Sequence, residues 1–174
     1  MDYNLGNRWR LRITFVVIVT SIVFVQTLPI YSERLRLLSP DIVLAFTFAW
    51  AVRRPDAITP VLIVLVTVLT DFLLHRPPGL WTVIVLLAAI FLQGRVHDIR
   101  HSVYSAEWFL VGLVILGTFA VYQAALIVTL TGGHDWITLG LLAMSTVVIY
   151  PFVTLISQRV FGVHKPGVTD PNTY

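Results

Sequence analysis

Charged residues divide this chain into six long apolar intervals, and that pattern restricts its fold more than any other feature. After Arg12 the next charge is Glu33, so residues 13–32 carry none. Residues 37–52 are apolar apart from Asp41, which lies beside Pro40, and the run closes on Arg53, Arg54, Pro55 and Asp56. A third run, 57–74, has Pro60 in its first turn and Asp71 near its far end. A breaker cluster of His75, Arg76, Pro77, Pro78 and Gly79 follows. The fourth run ends at Gln93. The stretch from Arg95 to Glu107 is the most polar internal segment, and runs 108–131 and 136–158 are the cleanest of the six. Hydrophobic residues make up 57% of the 174 positions, charged ones only 12%, and mean hydropathy is +0.84. A soluble domain of this size could not hide so much apolar surface. The composition excludes a free cytosolic enzyme and a nucleic-acid-binding domain.

Helices are expected rather than a barrel. Residues 61–69 are apolar on every side, whereas barrel strands alternate apolar and polar positions. The expected architecture is an all-α polytopic membrane protein. One six-helix domain covers residues 1–162, with spans at about 13–30, 37–52, 57–74, 80–94, 108–131 and 136–158, and a flexible cytoplasmic tail over 163–174. The first run reads as a retained anchor, since it is long and no A-x-A-like cleavage site follows it. Pro151 should kink the sixth span. With no cysteine, neither a disulfide nor a Cys-based metal site can form.

Six crossings can be tested by charge. With the N-terminus in the cytoplasm, nine of the twelve basic residues fall inside: Arg8, Arg10, Arg12, Arg53, Arg54, Arg95, Arg100, Arg159 and Lys165. Arg34, Arg36 and Arg76 fall outside, and the acidic residues divide almost evenly, as the positive-inside rule expects. If the second run failed to cross, this asymmetry would collapse. Re-entrant second and third runs would bury Arg53, Arg54 and Asp56 at roughly 2.5–3.5 kcal/mol each. All five tryptophans (Trp9, Trp50, Trp81, Trp108 and Trp136) lie at or just before run ends, where an indole anchors in the headgroup zone.

Few residues suggest chemistry. Asp71 has Thr67 one turn before it and His75 one turn after, so the three share a face if the helix continues. That would suit a proton or ion site. The structural reading is a carboxylate that hydrogen-bonds the following turn, and it is favoured because the proline cluster begins within a turn. His97 and His101 have metal-ligand spacing, but Asp98 stands where a zinc protease has glutamate and no third ligand is evident. Gln123, midway along the fifth run, and the Ala120–Ala124 pair point to helix packing. No nucleophile–base pair has useful spacing.

Several short motifs occur in one order: Ser39–Pro40–Asp41, Trp50, Arg53–Arg54–Pro55, Asp71, Pro78–Gly79, and Tyr150–Pro151 with Arg159 after it. In this series, in size and in its basic N-terminus the chain resembles the MreD family, the rod shape-determining inner-membrane proteins of bacteria. One departure is Val66–Thr67–Val68, where the family often has a glycine. The resemblance implies a non-enzymatic membrane scaffold of the cell-elongation complex, without cofactor. It would bind MreC and, through it, the peptidoglycan synthase pair and MreB. It also implies a likeness to the six-helix substrate-binding subunits of energy-coupling-factor transporters, with an interhelical cavity able to hold a lipid. Pro40, Asp41, Trp50, Pro55, Asp71, Pro78, Gly79 and Pro151 are the positions carried over. The alternatives are a substrate-binding subunit of a vitamin transporter, and an intramembrane enzyme or proton carrier centred on Asp71.

Overall fold

A computed structural model describes residues 3–27, 40–96, 104–129 and 135–161, and six helices account for most of them. In chain order they are α1 (Tyr3–Thr27), α2 (Ile42–Arg53), α3 (Pro60–Leu73), α4 (Leu80–Gly94), α5 (Tyr104–Val128) and α6 (Trp136–Phe161). Three of them contain stretches long and apolar enough to cross a membrane: Trp9–Thr27, Ser105–Val128 and Trp136–Arg159. The other three are apolar but short, at 12, 14 and 15 residues.

The contacts fix helix direction. Arg12 Nε donates to the Ala57 carbonyl in the turn after α2, and Phe15 stacks on Phe46 and Trp50, so α1 and α2 are antiparallel. The Asp41 amide donates to Thr146 and the Trp50 indole donates to Ser157, which sets α2 parallel to α6. Asp71 meets the start of α4, and Gln93 near the end of α4 donates to the Ile58 carbonyl before α3, so α3 and α4 form a hairpin. Trp81 packs against Phe119 and Tyr122 late in α5, and Trp108 near the start of α5 reaches Val147 of α6. Each helix therefore reverses its predecessor. Asp41, Asp71 and Arg76 gather at one end of the bundle; Arg12, Arg53, Gln93 and Glu107 gather at the other.

α2 is the central helix. Every residue from Val43 to Arg53 is buried, and the helix packs against α1, α4 and α6. A helix that is apolar on all sides can only be stable when enclosed in this way. The buried threonines of these helices fold their hydroxyls back: Thr47, Thr67 and Thr70 each donate to the carbonyl four residues earlier at 2.7–2.8 Å. Their hydroxyls are thereby satisfied within the helix that carries them.

Several sequence expectations change. α1 begins at Tyr3 rather than near residue 13, so the basic arm is helical. α5 begins at Tyr104, placing Glu107 inside a helix and not in a solvated loop. Trp50 and Trp81 are core residues, whereas Trp9, Trp108 and Trp136 are exposed as interfacial anchors would be. Helicity in α6 extends on both sides of Pro151, which leaves the expected bend as it was. Proline supplies no N–H to the carbonyl four residues earlier, Val147. The Trp108 indole donates to that oxygen at 3.2 Å from α5, and Gly112 beside it lets Val147 approach; a Cβ there would meet Val147 Cγ1 at 3.2 Å. The helix continues because a neighbouring helix satisfies the freed carbonyl. Residues 28–30, 37–39, 130–131 and the 163–174 tail of the expected boundaries lie outside the described residues, as do His97, Asp98 and His101.

Candidate functional site

The buried charges form two layers, one at each end of α2. In the layer at its start, Asp41 is the N-cap. Its Oδ1 accepts from the Leu44 amide at 2.9 Å, which satisfies one of the free N–H groups of the first turn. Pro40 precedes it, and the Pro40 carbonyl accepts from the Ile42 amide. The other oxygen, Oδ2, accepts from Arg76 Nη2 at 3.2 Å, and the Arg76 guanidinium lies 4.8 Å from the Trp81 ring centre. The Trp81 face is in turn backed by Phe119 and Tyr122.

Asp71 caps a helix that is not its own. α4 has Gly79 at its N-cap, with φ +88°, a conformation that favours glycine, and no side chain to offer. Asp71 Oδ2, from the end of α3, accepts from the Gly79 amide at 3.1 Å, the Thr82 amide at 3.3 Å and the Thr82 hydroxyl at 2.8 Å. Gly79 and Thr82 are the N-cap and N3 positions, where a cap side chain would normally bond the N3 amide. The eight-residue step from Asp71 to Gly79 is what lets a hairpin turn return the chain to its own carboxylate. Pro78 sets the entry to this turn and is exposed. His75 also has positive φ (+54°) and is exposed, because α3 ends at Leu73. The shared face of Thr67, Asp71 and His75 does not form, and Thr67 bonds its own helix. Asp71 Oδ1 and Arg76 Nη1 are buried without a hydrogen-bond partner among the described residues.

The second layer lies at the end of α2. Arg53, in the last turn of α2, pairs with Glu107, in the first turn of α5, at 3.2 Å, with both side chains fully buried. The Tyr150 hydroxyl donates to the same Glu107 oxygen at 3.3 Å. Nearby, the Trp50 indole donates to Ser157 at 3.2 Å, and Pro55 lies in the turn leading to α3. Gln123 is buried within α5, and Pro151 follows Tyr150 on α6.

One rule relates these charges to the helix ends they contact, although Asp71 is itself carried by the last turn of α3. Carboxylates stand at helix N-termini (Asp41 for α2, Asp71 for α4, Glu107 for α5), and arginines stand at C-termini (Arg53 for α2, Arg76 just after α3). Each sign complements the partial charge of the exposed backbone groups there. Glu107, Thr82 and Thr146 are not among the sequence candidates, and Arg53 enters there only within the Arg53–Arg54–Pro55 motif. The available signal was the pairing of a base in the last turn of one apolar run with an acid just before another. Among the described residues, no group of three or more His, Asp or Glu side chains could hold a metal ion. No family model, no curated protein and no solved structure matches the chain.

Proposed function

We propose that this chain is a non-enzymatic scaffold of the bacterial cell-elongation complex. It would act in the inner membrane with six spans and both termini cytoplasmic, and would bind MreC. What carries the reading is the convergence of Pro40, Asp41, Asp71, Pro78 and Gly79, marked by the resemblance to the MreD family, on one end of the bundle. There the carboxylates cap backbone instead of facing a substrate. The alternating helix directions support six crossings, and the short turns leave partner contacts to be made within or beside the bilayer. The peptidoglycan synthase pair and MreB would be reached through MreC, and nucleic acid has no place in this reading.

The test is affinity purification from native membranes in mild detergent, with depletion in the source cells. Co-purifying MreC and rounding of rod cells are expected; normal rods after clean deletion, with no second copy present, would refute the reading. One observation favours a second reading, a vitamin-binding subunit. Asp71 Oδ1 and Arg76 Nη1 are unpartnered in the layer that holds Trp81 and Tyr122, which offers hydrogen bonds to a small polar ligand. A tightly held small molecule and co-purifying ATPase subunits would favour that reading over the first.

A further inference from the structure

The helices present two different apolar heights to their surroundings. On α5 exposed large apolar side chains run from Trp108 to Val128, and on α6 from Trp136 to Ile156. At 1.5 Å per residue those stripes are each ~30 Å tall, the thickness of an ordinary hydrocarbon core. On α3 the exposed stripe is Val61, Leu65, Leu69 and Phe72; on α4 it is Val83, Leu87, Ile90 and Phe91. The whole helices have only 14 and 15 residues, so they reach at most ~21–23 Å, and tilt would lower that height further. Polar groups close the hairpin at both ends: exposed Asp56 and half-buried Thr59 before α3, exposed His75 with Arg76 after it, and exposed Arg95 beyond α4. The interior has the same dimension. The cap Asp41 and the ion-paired Arg53 are twelve residues apart on the central helix, or ~18 Å.

We propose that the α3–α4 face is a binding surface for a thinned bilayer: it gathers phospholipids with short acyl chains, while the α5–α6 face accepts chains of ordinary length. A longer-chain bilayer at α3–α4 would have to bring its hydrocarbon against Asp56, His75 and Arg95, or compress. Compression of the lipid, or selection of shorter lipid, is the cheaper response because the hairpin is held at both ends, by Asp71 on Gly79 and Thr82 and by Gln93 on Ile58. The membrane beside the protein is then asymmetric, thin on one flank and ordinary on the other. This inference rests on the reading of all six helices as membrane-spanning.

The chain has no cysteine, so a single introduced one carries a unique fluorophore. Leu87→Cys reports the α4 face and Val148→Cys the α6 face; both positions are exposed. The full chain is reconstituted into phosphatidylcholine vesicles and bimane-labelled. Quenching by brominated lipid is then competed with dimyristoleoyl (14:1) or dioleoyl (18:1) phosphatidylcholine. At Leu87→Cys the 14:1 lipid should bind about threefold better than the 18:1 lipid, with the preference absent or reversed at Val148→Cys. Quenching at both sites with one shared preference would overturn the proposal and leave six spans intact. Quenching at Val148→Cys with none at Leu87→Cys in either lipid would overturn both.

Discussion

The two charged layers at the ends of α2 solve one problem by different chemistry. At its start, Asp41 and Asp71 bond backbone amides of helix N-termini, and the partners lie close in sequence: three residues away for Leu44, eight for Gly79 and eleven for Thr82. At its end, Arg53 and Glu107 bond each other across 54 positions with Tyr150 as third member, and both are fully removed from solvent. The first layer stabilises its turns locally and adds two longer links from Asp41, to Arg76 and to Thr146. The second holds α2, α5 and α6 in one arrangement and nothing smaller. The capping carboxylates are compensated by backbone amides, one at Asp41 and two at Asp71, with the Thr82 hydroxyl added at Asp71. A buried ion pair loses most when its opposite charge is removed.

The comparison is broken most severely by removing one charge of the pair. Arg53→Leu should destabilise the protein by about 3–5 kcal/mol, since it removes the counter-charge of the buried Glu107 carboxylate. Arg53→Leu combined with Glu107→Leu should recover most of that loss. Thermal unfolding in detergent measures both, and a double variant no more stable than the single one would show that the pair is not the relevant unit. Next is Asp71→Ala, which leaves the Gly79 and Thr82 amides and the Thr82 hydroxyl unbonded, at about 2–3 kcal/mol. Asp71→Asn keeps an acceptor and should retain at least half of that stability. If the two variants are equally damaging, the charge matters and not the cap. Asp41→Ala should follow at about 1 kcal/mol, the usual value of an N-cap, with little added from the partly exposed Arg76 pair. Smallest is Trp108→Phe, about 1 kcal/mol or less, from the Val147 carbonyl left bare by Pro151. Its effect should vanish in a Pro151→Ala background, where the helix supplies its own donor.

The difference between the layers also explains what could be read in the sequence. The hairpin cap was legible as Asp71 followed at fixed distance by Pro78–Gly79, because local geometry alone joins them. That Asp71 would cap α4 across the turn was not, since nothing in a one-dimensional reading says that the N-cap glycine needs a borrowed side chain. Glu107 was read into a polar loop because α5 was started at Trp108; the helix begins earlier, at Tyr104, and carries the acid into the core. Trp50 was assigned to the membrane interface from its place at a run end. The structure encloses it instead: α2 packs against α1, α4 and α6, and the Trp50 indole donates to Ser157 of α6. The donor to the carbonyl freed by Pro151 is Trp108, 39 positions from Val147 and on another helix, which no local pattern encodes.

The central claim is that the short helices α2 and α3 each cross the membrane, placing the two charged layers on opposite sides. Single cysteines at exposed Asp56, in the turn between α2 and α3, and exposed His75, in the turn between α3 and α4, test it in intact cells with a membrane-impermeant maleimide. The account predicts labelling of His75→Cys from outside and of Asp56→Cys only after permeabilisation; labelling of both from the same side would contradict it.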